Sequence, residues 1–256
     1  MNLEQFSSEF DIAYNNITSN ASPPLNEFEK SSFLTKAQNE LLLIYYNGLN
    51  GRYTSFESTE ECRRYLDSLV VHESPLTLKR IDSIERFKLY IYEKPKVTTT
   101  ISTTIDDEPV EVSLDQLLFI VRDSAMKQVT DGCVDTKYLS VKAVNFNDLT
   151  HILQDPFKCP NGTRALRIDF EDGIGIITSE TLQQYYCTYI RKPKPIILED
   201  ITDYGLNIEG YQTPQTPVCE FPDVMHQKII DRAVLLAKAA YVGDLSSQAA
   251  LSTQTI

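Results

Sequence analysis

A chain of 256 residues that is 42% hydrophobic has the apolar mass for a real core, as one elaborated domain or two small ones. Its formal net charge of -12 argues against general binding to nucleic acid, which needs Lys and Arg to neutralise phosphates, while an acidic wall still suits a channel through which a duplex slides. No charged stretch followed by an apolar run marks a signal peptide, and no run of about 18 apolar residues marks a membrane span, so the expectation is a soluble chain, intracellular at synthesis.

Leu3, Phe6, Phe10, Ala13, Tyr14 and Ile17 recur at spacings of three and four, which predicts an amphipathic helix with Asn2 as its cap. Pro23 and Pro24 break the chain after it. A second helix opens at Asn26, with Glu29 three residues on in a capping-box arrangement; Leu34, Ala37, Leu41, Ile44 and Tyr45 form its stripe, and Gly48 stops it. A third, shorter helix is expected from Ser58, with Cys62, Tyr65, Leu66 and Leu69 facing inward.

From about residue 75 the period changes. Phe87, Leu89 and Ile91 alternate with polar neighbours as on a half-buried strand, and the nearly continuous β-branched run Val97–Ile105 disfavours a helix. Leu117–Val121 reads as a short buried strand and Tyr138–Val144 as an alternating one. Asn147 is placed to cap a short helix, Asp148–Gln154, which Pro156 ends. Thr163–Phe170 and Gly173–Thr178 read as strands joined through Glu171-Asp172-Gly173, a strong hairpin signal, and Gln183–Arg191 as an aromatic-rich strand. A loop from Tyr204 to Pro222 leads to a last helix carrying Met225, Ile229, Ala233, Leu236, Ala237 and Ala240 at helical spacing, with Asp223 and Lys238 complementing its two ends and Gly243 closing it. The expected class is α+β: a helical base formed by the N-terminal helices and the C-terminal helix, with a β-rich middle region. The expected divisions are 1–72, an N-terminal helical region; 73–203, a β-rich insertion; 204–243, a Pro-rich return loop and helix completing the base; and 244–256, a flexible arm.

Catalytic and metal signatures are missing from the sequence. There is no phosphate-cradling G-x-x-x-x-G-K-[ST] loop and no G-x-S-x-G elbow; Asp172-Gly173-Ile174-Gly175 lacks a third glycine and a following helix, and reads as a turn. The five cysteines, Cys62, Cys133, Cys159, Cys187 and Cys219, are odd in number and far apart, which suits buried free thiols better than disulfides or a zinc site. His72, His151 and His226 are likewise scattered; His226 falls in the first turn of its helix and is expected to face solvent. Asp106-Asp107-Glu108 and Glu199-Asp200 read as solvated loops, because adjacent acids point to opposite faces. No cofactor is expected. The basic run Arg191-Lys192-Pro193-Lys194-Pro195 is kept extended by its prolines and reads as a contact arm or a guarded edge, with phosphate contact a lesser reading.

Three blocks carry a family pattern. Glu9–Ile17, Asn26–Lys30 and Phe33–Gln38, then Asp155–Pro160 and Tyr189–Leu198, then His226–Val234, together resemble a virion structural protein of crAss-like Bacteroidales phages. The chain departs from that pattern in having no tryptophan after the turn at Asp155-Pro156-Phe157. The resemblance implies a non-enzymatic subunit of the head-to-tail connector, assembled in the host cytoplasm and resident in the virion neck. It implies a homo-oligomeric ring, commonly twelvefold, below the portal protein, beside other neck or tail ring proteins, with DNA passing through the lumen unbound and no membrane contact. Heterologous ring contacts need surfaces rather than an active site. The expected contact residues are Arg191, Lys192 and Lys194 of the basic run and Leu245, Leu251 and Ile256 of the arm. Another tail or head component, or a carboxylate-based hydrolase, are the alternative readings.

Overall fold

A computed structural model describes residues 1–17, 24–48, 55–102, 109–128, 138–171 and 173–241. Its contacts divide the chain into two compact units: the described parts of Met1–Leu69, Thr98–Leu114 and Pro193–Ile256 make a helical unit, and those of Val70–Val97 and Asp115–Lys192 make a sheet unit.

In the helical unit, α1 spans Leu3–Ile17 and α2 spans Glu27–Asn47. Both starts follow from local chemistry. The Asn2 side chain accepts from Gln5 N at 2.8 Å while Gln5 Oε1 accepts from Asn2 N at 2.9 Å, and Asn26 and Glu29 close the same reciprocal pair at 2.8 and 3.0 Å. Gly48 ends α2 in the left-handed region at φ 81°, its N–H donating to Ile44 O, a conformation glycine adopts without a Cβ penalty. α3, Glu60–Leu66, runs into a 3₁₀ turn at Asp67–Leu69. Its cap is Thr59, one residue later than expected, because the Ser58 hydroxyl is engaged with Ser55 O. Cys62, Leu66 and Leu69 are buried and Tyr65 is half-buried.

The last helix, α5, spans Asp223–Tyr241 and packs on both α1 and α2. Met225, Ile229, Ala233, Leu236 and Ala237 are buried as their spacing requires, whereas Ala240 is exposed. Lys238, expected to serve the helix end, is itself 2% exposed, so its stem is part of the packing.

The sheet unit is built on eight strands: β1 Val70–Pro75, β2 Leu78–Ile84, β3 Phe87–Tyr92, β6 Leu117–Lys127, β7 Tyr138–Ala143, β8 Arg164–Asp169, β9 Ile174–Thr178 and β10 Leu182–Arg191. Their order is β1-β10-β6-β7-β8-β9-β3-β2, antiparallel except for β7 and β8. That parallel pair needs a crossover, which α4 (Phe146–Gln154) supplies. The helix starts two residues before the expected Asp148, with Asn145 rather than Asn147 at the cap position. β4 (Lys96–Ser102) and β5 (Pro109–Asp115) form a separate two-stranded sheet.

Alternation along β3 sorts its side chains between two cores. Phe87, Leu89 and Ile91 join Leu153, Leu166, Ile168 and Ile177 under α4, while Tyr90 and Tyr92 join Ala165, Ile174, Ile176, Leu182 and Tyr185 on the other face. Both faces of β3 are therefore covered, beyond the half-burial that its pattern predicts. Tyr92 and Tyr185 belong to strands five places apart in the sheet, yet their rings lie 5.2 Å apart, so the sheet curls and closes this second face on itself. β6 is twice the expected length and only partly buried. The β8–β9 hairpin forms as predicted, with Phe170 N donating to Gly173 O at 2.9 Å.

Candidate functional site

The polar residues buried in α2 face an extended segment that follows the basic run. Ser31 Oγ accepts from Leu198 N at 2.9 Å, Thr35 Oγ1 accepts from Ile196 N at 3.1 Å, and Gln38 Nε2 donates to Lys194 O at 2.8 Å. Helix residues spaced by four and three thus meet every second residue of an antiparallel extended chain. The match is metric: four helical residues rise about 6 Å and two extended residues about 6.6 Å. Lys194 N is further held by Glu220 Oε2 at 2.9 Å, and Pro193, Pro195, Ile196, Ile197 and Leu198 are buried. The basic run is therefore anchored by its main chain, with Arg191 closing β10 and Lys192 exposed. Leu245, Leu251 and Ile256 lie outside the described residues.

Charged groups tie the helices together. Lys30, 4% exposed, reaches Asp11 at 2.7 Å, Glu27 at 2.9 Å and Ser7 at 3.2 Å. Burial alone would lower its pKa; the hydrogen bonds that it donates to Asp11 and Glu27 outweigh that and raise it, so the ammonium stays charged. Arg232 of α5 grips Glu40 of α2 through Nε and Nη2 at 2.9 and 2.8 Å. Lys228 donates to Tyr45 at 2.9 Å and lies 4.4 Å above the Tyr65 ring.

His226 is buried at 4%, against the expectation of a solvent-facing ring. The reason is α1, whose Phe6 ring lies 5.1 Å from the imidazole, tilted by 55°. Nε2 lies 3.0 Å from Phe221 O and takes the proton there, which leaves the Nδ1 lone pair toward the Met1 amine at 3.4 Å. Asp223 Oδ1 sits 3.2 Å from the same nitrogen. Burial holds the His226 pKa below its ordinary value. His72 and His151 are exposed.

In the sheet unit Arg167 Nη1 and the Tyr185 hydroxyl both donate to Asp123 Oδ2, at 2.7 and 3.1 Å. Desolvation, with the Asp123 charge adding to it, pushes the neighbouring Cys187 thiol up to about 12, and burial does the same for Cys219. Neither thiol is a nucleophile at neutral pH. Cys62, Cys159, Cys187 and Cys219 form no disulfide among the described residues; Cys133 lies outside them. Glu199 and Asp200 are exposed, Asp200 accepting from Thr202 in a turn; Asp106, Asp107 and Glu108 lie outside the described residues. Among the described residues no group of three or more His, Cys, Asp or Glu is placed to hold a metal, and no helix is long and apolar enough to cross a membrane.

Two surface features were not anticipated. The turn after α4 displays Phe157 at 86% exposure. Between α3 and the start of α5, Glu60, Glu61, Arg64, Tyr65, Pro222 and Val224 line a hollow of about 520 Å³. Neither has a sequence signal: the first rests on one aromatic in a proline turn, and the second joins residues about 160 positions apart.

Residues 1–249 match the sequence model of the phage tail ring protein 3/4 family. Ring protein 4/5 of Bacteroides phage crAss001 is 34% identical over the full length of both chains. Ring protein 3 of the same phage is 34% identical over 93% of this chain and 95% of its own. This chain belongs to the phage tail ring protein 3/4 family and is a structural ring protein of a crAss-like bacteriophage virion.

Proposed function

We propose that copies of this chain close into a twelvefold ring stacked below the portal in the head-to-tail connector, with DNA passing through the lumen. The observation that carries this reading is the match to ring protein 4/5, which runs the whole length of both chains, helices, sheet and C-terminal segment alike. Two differently numbered ring proteins of one phage match at the same identity, which fits one fold reused for successive rings. Residues 1–72 and 204–243 act as the base, 73–203 as the wall or next-ring contact, and 244–256 as an arm that orders on the portal. Arg191, Lys192 and Lys194 meet a neighbouring ring, and Leu245, Leu251 and Ile256 supply the arm's apolar contacts. The net charge of -12 suits a lumen that repels the duplex and lets it slide. No cofactor, catalytic step or membrane contact enters this role.

The test is mass by light scattering, for the full chain and for a chain ending at Gly243, each alone and with purified portal. A ring that forms on the portal with the full chain and is lost on truncation supports both ring and arm. Rings from both forms place the contact on the helical base. A full chain that stays monomeric, alone and with portal, would overturn the proposal.

A further inference from the structure

Phe157 is the most exposed large hydrophobic side chain among the described residues, at 86%, and Val224 with Tyr204 follows at 65%. Isolated exposed apolar groups are ordinary. The setting of Phe157 is not. Its N–H donates to Asp155 Oδ1 at 2.9 Å, and its carbonyl accepts from Arg164 Nη1 at 2.8 Å. Lys158 N and Cys159 N both donate to Asp155 O, at 3.1 and 2.9 Å, and the Lys158 ammonium sits 3.2 Å from Asp155. The turn is fixed on both sides of the ring, so little ordering entropy remains to be lost when a partner covers it.

The Tyr65–Pro222–Val224 hollow is equally well prepared. Tyr65 donates to Glu61 at 2.7 Å, meets Tyr45 edge-on at 5.1 Å and lies under Lys228, while Pro222 and Val224 have few rotamers to lose. Its volume of about 520 Å³ is ample for a benzyl group. The charges are complementary. Among the side chains that line the hollow Glu60 and Glu61 outnumber Arg64, and in the turn Lys158 and Arg164 outnumber Asp155.

We propose that Phe157 of one copy seats in the Tyr65–Pro222–Val224 hollow of the next. Knob and hollow are different patches of one chain, so the contact is heterologous and continues from copy to copy until a ring closes. The proposal rests on the ring reading above and specifies its subunit contact.

The test uses full-length chains in a Cys133→Ser, Cys159→Ser background, where the remaining described thiols are buried. Lys158→Cys, which keeps the Phe157 ring, and Val224→Cys proteins are oxidised each alone and as a mixture, and the parent protein is sized in parallel. Cross-linked dimer in the mixture alone is the expected result. Phe157→Ala is expected to weaken association at least about 30-fold and to leave the unfolding midpoint unchanged. Rings without mixed cross-links would overturn this contact and leave the ring reading standing. Dimers in the Lys158→Cys sample alone would overturn it in favour of a two-fold contact. Neither rings nor cross-links would overturn both proposals.

Discussion

The Thr35 hydroxyl and the main chain of Ile196 meet twice: Oγ1 accepts from Ile196 N at 3.1 Å and donates to Ile196 O at 3.3 Å. The two residues are 161 positions apart in the chain, and Thr35 is 3% exposed. This contact is the middle rung of the three by which α2 holds the segment after the basic run. Thr35→Val keeps the shape and leaves the Ile196 N–H without this acceptor in a buried place, so it should destabilise the protein by about 1–3 kcal/mol. Thr35→Ser keeps the hydroxyl and should recover most of that. Urea unfolding of the two variants decides it; equal midpoints would show that the contact contributes nothing.

What was legible in the sequence was local. Asn26, Glu29 and Gly48 declare the ends of α2 because a cap acts within four residues of itself. The burial of Ser31, Thr35 and Gln38 has no local sign, since their partners at 194–198 are more than 150 residues away. His226 misleads for the same reason: its position in the first turn of α5 suggests exposure, and only the packing of Phe6 removes it. The α+β class was readable because the hydrophobic period changes from helical to alternating near residue 75. The curl that joins Tyr92 to Tyr185 depends on strand order, which no local pattern encodes.

His226 makes stability pH-dependent. Its folded pKa lies below the ordinary value of about 6.5, chiefly from burial and also from the Met1 amine, against which Phe221 O and Asp223 act. The unfolded chain takes up the proton first as pH falls, so this stabilisation is complete above about pH 6.5 and is lost as pH drops through the folded value. Urea midpoints measured from pH 8 to 5 should decline more steeply for the parent protein than for His226→Gln. Parallel declines would assign the effect to other groups.

Arg167 and Asp123 are a part-buried pair, with side chains 14% and 12% exposed and 2.7 Å apart. Arg167→Met leaves the largely buried Asp123 carboxylate with the Tyr185 hydroxyl but without its cation and should cost about 3 kcal/mol, whereas Arg167→Met with Asp123→Leu removes both charges and should recover much of the loss. A double-mutant cycle in guanidinium chloride measures the coupling. Additive losses would show that the two charges act independently.

Gly173 cannot carry a side chain. A Cβ there would lie 2.5 Å from Tyr92 O, a main-chain atom fixed by the β3–β9 ladder, while a Cβ at Gly162 meets nothing closer than 3.5 Å. Gly173→Ala should therefore fold poorly or lose several degrees in Tm, and Gly162→Ala should change it little. Thermal unfolding by circular dichroism separates the two; similar midpoints would mean that the sheet yields at this point.

The basic run offers the sharpest separation of folding from assembly. Its main chain is anchored at three points: Lys192 N donates to Gln116 O at 2.8 Å, Lys194 N to Glu220, and Lys194 O accepts from Gln38. Those bonds survive replacement of the side chains, so Arg191→Gln, Lys192→Gln and Lys194→Gln together should move the unfolding free energy by no more than about 1 kcal/mol. If the three charges meet a neighbouring ring, the triple variant should associate more weakly at low ionic strength, and its affinity should respond less to added salt, because charge pairs across an interface are screened. Titration of ring or portal association against salt reads both effects. A variant that folds normally and keeps the parent's salt response would remove the basic run from the interface, leaving its role as the strap that α2 holds.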